Sequence, residues 1–93
     1  MPKYTIETNK ILTPEELNAI QLVVQEYDNA IIMYEPFNSA HEGYAILLEE
    51  LDELWDEVKK KPNDRDNDNL RKEATQVSAM GLRMVVDLNN FKK

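Results

Sequence analysis

The sequence contains no cysteine, which removes disulfide staples, a thiolate nucleophile and any zinc site built on sulfur. Glycine occurs twice and proline four times, so little interrupts long helices. A basic excess is also missing. Eleven Lys and Arg face eighteen Asp and Glu, for a net charge of −7, which disfavours a grip on a nucleic-acid polymer. Single nucleotides stay open, because a bound cation reverses the local field. No apolar run approaches the ~18 residues of a membrane span, and the N-terminus lacks an apolar signal segment. The expectation is a cytoplasmic protein with no membrane partner. There is no Gly-rich phosphate loop and no Ser/His/Asp set for acyl transfer.

What is present is an acidic, apolar-patterned chain. Hydrophobic residues make up 42% and charged residues 31% of its 93 residues, which fits one folded domain. That length is small for a self-sufficient core, and helical proteins of this size often complete theirs by association.

Residues 1–12 alternate weakly at Tyr4, Ile6 and Ile11 and read as an N-terminal arm. A single helical domain is expected over 13–91. Thr13, Pro14 and Glu16 form an N-cap, a first-turn proline and a capping box, with Leu12 and Leu17 as a hydrophobic staple. Leu17, Ile20, Val24, Tyr27, Ile31 and Tyr34 then recur at helical spacing, and Pro36 ends that helix. Ser39 and Glu42 open a second helix. Its expected core face is Tyr44, Leu47/Leu48, Leu51, Leu54/Trp55 and Val58, its end is basic at Lys59-Lys60-Lys61, and Pro62 stops it. The Asp64-Arg65-Asp66-Asn67-Asp68-Asn69 connector is not a calcium loop, since Asn69 and Thr75 stand where such loops need Gly and Glu. It reads as a polar turn supplying an Asp or Asn cap.

The third helix carries a heptad, Leu70, Ala74, Val77, Gly81, Met84 and Leu88, whose small residues suggest a close helix approach. Beside it runs a mixed stripe, Glu73, Gln76, Met80, Arg83, Asp87 and Asn90, less charged than an ordinary solvated face. The Phe91-Lys92-Lys93 tail is expected to fray. The whole reads as an all-α, three-helix up-down-up bundle that completes a four-helix-type core by oligomerisation.

The chemistry concentrates in the second helix. Six acids lie between Glu49 and Glu57, and Glu50, Glu53 and Glu57 share one stripe. Stacked carboxylates repel, so either water screens them or a cation sits on them. In an antiparallel pair the Glu73 stripe can face them, forming a cage of hard oxygens suited to Mg²⁺ or Mn²⁺.

Glu49-Glu50-Leu51-Asp52-Glu53, followed after 19 residues by Glu73-Ala74-Thr75-Gln76, resembles the EExxE…ExxD signature of MazG-like nucleotide pyrophosphohydrolases, in the all-α NTP pyrophosphatase superfamily. The resemblance covers about residues 14–90. It implies cleavage of the α–β phosphoanhydride of a (d)NTP to a nucleoside monophosphate and pyrophosphate, with Mg²⁺ or Mn²⁺, in a homodimer or homotetramer. It places Glu50, Glu53 and Glu73 on the metal and gives Glu49 an accessory role in orienting or activating water. Gln76 stands where the family has Asp, so one of four formal charges is missing. A Gln carbonyl still ligates a cation, but more weakly.

Three other residues have two readings each. Arg83 can touch a phosphate or pair with Asp87 at i+4. His41 can serve base stacking or proton transfer, or lie on the surface of a first turn. Trp55 can stack on a nucleobase or pack in the core. The alternatives to an enzyme are a metal- or nucleotide-binding module that turns over little, and a helical adaptor that offers its acidic face to a basic partner.

Overall fold

The structure, a computed structural model, describes residues 5–91. Residues 1–4 of the expected arm (Tyr4 among them), Lys92-Lys93 and the Asn90 side chain lie outside the described residues. Three α-helices account for most of the chain: α1 (Pro14–Met33), α2 (Ala40–Val58) and α3 (Asn67–Asp87). Short 3-10 turns follow at Pro62–Asp64 and Leu88–Asn90, and no strand occurs among the described residues.

The helix ends follow local chemistry. Thr13 Oγ1 accepts from the Glu16 N–H at 3.1 Å, and Glu16 Oε1 accepts from the Thr13 N–H at 3.0 Å, closing the expected box. Glu16 also pairs with Lys10, and these bonds hold its carboxyl below the usual range, the Lys10 contact contributing most. At α2, Ser39 Oγ caps the Glu42 N–H at 3.1 Å. Glu42 reaches back to the backbone N–H and side-chain amide of Asn38, one residue earlier than a standard box requires. Asp66 Oδ1 caps α3 through the Asp68 N–H at 2.8 Å. Tyr34, just past α1, is already extended ahead of Pro36. Two of the lysines beyond α2 pair with acids of its last turn, Lys59 with Asp56 and Lys60 with Glu57.

α3 is the central element. It packs against both α1 and α2, which make little contact with each other. Arg83 of α3 reaches the end of α1, Met84 meets Gly43 near the start of α2, and Glu73 meets Glu50 and Glu53 farther along α2. α2 is therefore antiparallel to α3 and α1 parallel to it, which gives the up-down-up order.

The buried faces differ from those expected. On α2, Tyr44, Leu48, Leu51, Trp55 and Val58 are exposed, Tyr44 at 64% and Trp55 at 58%. Of the expected face, Leu47 and Leu54 do turn inward, and Gly43, Ile46, Glu50 and Glu57 accompany them. On α3, Ala74 and Leu88 are exposed, while Ala79, Arg83 and Asp87 are buried. The mixed stripe from Glu73 to Asp87 thus faces inward beside the heptad residues Leu70, Val77, Gly81 and Met84, which are half-buried. The close approach falls at Gly43, where a Cβ would sit 3.2 Å from Phe37 Cδ2 and 3.3 Å from Met84 Cγ and Sδ; a Cβ at Gly81 would meet nothing within 4 Å. On α1, Ile20, Val24 and Tyr27 are half-buried as expected, but Ile31 and Tyr34 are exposed.

A candidate metal centre at one end of a helical cleft

Because α1 and α2 lean on α3 rather than on each other, a cleft of about 590 Å³ lies between them with α3 as its floor. One end is apolar, with Ala30, Met33, Phe37, Ile46 and Met80 among its lining. Toward the other end the lining turns polar, with Glu26, Glu49, Glu50 and Gln76. The volume falls within the range of small-molecule sites, roughly 300–1,000 Å³.

The apolar end is closed by a buried ion pair. Arg83 is 2% and Asp87 6% exposed. Arg83 Nη1 donates to the Ala30 carbonyl at 3.1 Å, and Nη2 donates to the carbonyls of Tyr34, at 2.7 Å, and Glu35. The Ala30 carbonyl, in the last turn of α1, also accepts the Tyr34 N–H, while the Tyr34 and Glu35 carbonyls lie just beyond the helix. Arg83 Nε lies 3.5 Å from Asp87 Oδ2, and the same oxygen accepts the Phe37 N–H at 3.0 Å. The guanidinium stands 5.0 Å from the centre of the Phe37 ring, in cation–π range. Of the two readings of Arg83, the ion pair with Asp87 is the one formed, and its guanidinium is occupied with the end of α1.

Beyond the other end, carboxylate oxygens of Glu50, Glu53 and Glu73 lie within 4.8 Å of one another. Glu50 and Glu73 are half-buried and Glu53 is exposed. The Oε2 atoms of Glu50 and Glu73 are buried and have no hydrogen-bond partner. A buried acceptor left in that state costs about 1–3 kcal/mol. Like charges this close repel, and solvent around the exposed Glu53 screens part of that repulsion. Burial pushes the Glu50 carboxyl above its usual range, and the Glu53 carboxylate, the Glu73 carboxylate and Glu26 add to the push. The donor set is all oxygen, compact and negatively charged, which matches what a hard divalent cation takes as ligands.

The sequence-predicted residues separate into three groups. Glu50, Glu53 and Glu73 come together, and Glu49 and Gln76 line the cleft beside them. Arg83 lies at the closed end. His41 and Trp55 are exposed and line no part of the cleft, and Trp55 does not pack in the core either, because the α2 face that carries it points away from α3. Sequence reasoning missed Glu26, Asn29 and Met33. Their signal is a stripe at 22, 26, 29/30 and 33 flanking the apolar face of α1, at helical spacing.

Among the described residues no helix is long and apolar enough to cross a membrane. Compared with protein-family models, with curated proteins and with solved structures, the chain has no match in any of the three.

Proposed function

We propose that the chain is a metal-dependent nucleoside triphosphate pyrophosphohydrolase that cleaves the α–β phosphoanhydride of a (d)NTP. The observation that carries this reading is the convergence of Glu50, Glu53 and Glu73, with two buried, unpartnered carboxylate oxygens, beside a cleft of nucleotide size. Mg²⁺ or Mn²⁺ bound there would supply charge neutralisation for the polyphosphate and Lewis-acid activation of water. The chain's own residues do the rest. Glu50, Glu53 and Glu73 hold the cation, with Gln76 offering a neutral oxygen beside them. Glu49, exposed at the cleft edge, is placed to accept a proton from an attacking water. The apolar side chains of Phe37 and Met80 offer a surface for the base and sugar. The net charge of −7 makes the cation necessary for any polyphosphate to approach.

Folded protein with millimolar Mg²⁺ or Mn²⁺ is expected to release pyrophosphate from at least one member of a (d)NTP panel. No release from any member would sink the enzymatic reading. Gln76 favours a second reading, a module that binds metal or nucleotide and turns over little. Gln76→Asp separates the two: a gain in turnover marks a weakened enzyme, and unchanged metal binding without turnover marks a binding module.

The proposed active form is a homodimer or homotetramer in which a second copy covers the Tyr44, Leu48, Leu51, Trp55 and Val58 stripe and completes a four-helix core. These five side chains are all exposed along one helix, and a standard interface takes roughly 800 Å² from each partner. Light scattering on the purified chain is expected to give a multimer that Leu51→Glu dissociates; a wild-type monomer at micromolar concentration would rule this assembly out.

A further inference from the structure

The cleft has a wall that the two-helix motif does not include. Glu26 of α1 is half-buried and lines the cleft together with Glu50 of α2 and Gln76 of α3. A smaller hollow of about 390 Å³ opens between α1 and α3, and Glu26 and Gln76 line that one too. Both residues therefore stand where the two hollows adjoin, one on each helix. Gln76 brings a neutral amide to this place and Glu26 brings a carboxylate.

Charge at this point bears on a cation because the oxygens beside it lack partners. Glu50 Oε2 and Glu73 Oε2 are buried and accept no hydrogen bond. Glu26 lines the same cleft as Glu50, which bears one of these oxygens. Glu26 stands outside the trio whose oxygens lie within 4.8 Å of one another, so a bridge of water is its route to a shared cation. Small hard cations such as Mg²⁺ keep several waters when they bind carboxylates. A carboxylate that accepts hydrogen bonds from those waters fixes their orientation and adds affinity.

We propose that Glu26 supplies from α1 the negative charge that position 76 lacks, acting as a water-bridged carboxylate that completes a three-helix site for a divalent cation. The inference rests on the metal-site reading above. It makes Glu26 a positioning residue: it touches bound water and not the reacting phosphate. It also gives α1 a part in the site.

The test is calorimetric titration of the full-length chain with Mn²⁺ alone, with circular dichroism to confirm the fold of each variant. Glu50→Gln is expected to abolish binding. Glu26→Gln is expected to weaken it about tenfold, the scale of losing a group that orients a metal's ligands. Glu15→Gln removes the same charge from the exposed first turn of α1 and is expected to change affinity less than about twofold, because solvent and salt screen it. Gln76→Asp placed in the Glu26→Gln chain is expected to restore the lost affinity, which a merely structural role for Glu26 would not allow. Wild-type affinity in Glu26→Gln, while Glu50→Gln has lost binding, overturns the inference and leaves the metal reading standing. An equal loss in Glu15→Gln and Glu26→Gln also overturns it, since the effect is then one of total charge. If wild type and Glu50→Gln bind Mn²⁺ alike, the metal reading fails and takes the inference with it.

Discussion

The two ends of the cleft handle buried charge in opposite ways. At the closed end, Arg83 and Asp87 are almost fully buried and of opposite charge: Arg83 Nη1 and Nη2 donate to three carbonyls, Asp87 accepts the Phe37 N–H, and Arg83 Nε, which makes no hydrogen bond, lies 3.5 Å from the Asp87 carboxylate. At the acidic end, Glu50 and Glu73 are half-buried, sit among like charges and leave two oxygens without donors. Both ends draw on the same stripe of α3, three turns apart. Position 83 does structural work, since its charge is spent on holding α1 and the start of α2 against α3. Position 73 carries an unspent charge, which the fold tolerates at a cost and a ligand can relieve.

That contrast sets the expected signs and sizes of mutational effects. Arg83→Ala should give the largest loss, about 3–5 kcal/mol, because it leaves Asp87 buried without its cation and removes the donors to the Tyr34 and Glu35 carbonyls. Urea denaturation measures it, and a loss below that of an ordinary surface substitution would mean the ion pair is dispensable. Asp87→Ala should cost less, about 1.5–3 kcal/mol, the range for a hydrogen bond to a charged group. Arg83 keeps its carbonyl partners in that variant. At the acidic end the sign reverses: Glu50→Gln or Glu73→Gln should stabilise the metal-free protein by about 0.3–0.5 kcal/mol, the scale of a like-charge pair relieved. Destabilisation by either variant would place that acid in the structural class with Arg83.

The smallest expected effect is in the pH profile. The folded-state pKa of Glu50 is raised above the ordinary value for a Glu carboxyl. Its contribution to stability is therefore fully present below that value and is lost as pH rises through the folded pKa. Glu16 runs the other way: its pKa is lowered, so its contribution is present above 4.5 and lost as pH falls through the folded value. Thermal melts of wild type and Glu50→Gln between pH 4 and 8 should differ in slope, with the variant losing less stability on the way up. Parallel profiles would mean that Glu50 feels no net repulsion.

Helix limits were legible because they depend on neighbours in sequence. Thr13, Pro14 and Glu16 at one start, Ser39 at the next and Asp66 at the third bond within four residues, so spacing specifies them. The meeting of Glu50 and Glu53 with Glu73 was legible for a related reason, since two stripes of helical period on antiparallel neighbours can be placed opposite each other. The choice of inward face on α2 was not. Its Leu/Trp stripe and its acid stripe lie side by side with the same period, and a rotation of about 100° exchanges them. Hydrophobicity alone favours turning the Leu/Trp stripe toward α3, yet that stripe faces solvent in the monomer.

Local chemistry in the chain was therefore sufficient for an all-α fold, its helix caps and the pairing of acids across two helices. Three things depended on packing. The start of α2 seats against α3 where Gly43 admits Phe37 and Met84, and that contact orients the helix. Arg83 finds its partners in carbonyls about fifty residues away, which no spacing within α3 anticipates. Glu26 reaches the acidic end because α1 and α2 both rest on α3 and leave a cleft between them. Each is a contact between segments distant in the chain, and such contacts arise when helices settle against one another, after the short-range bonds that shape each helix have formed.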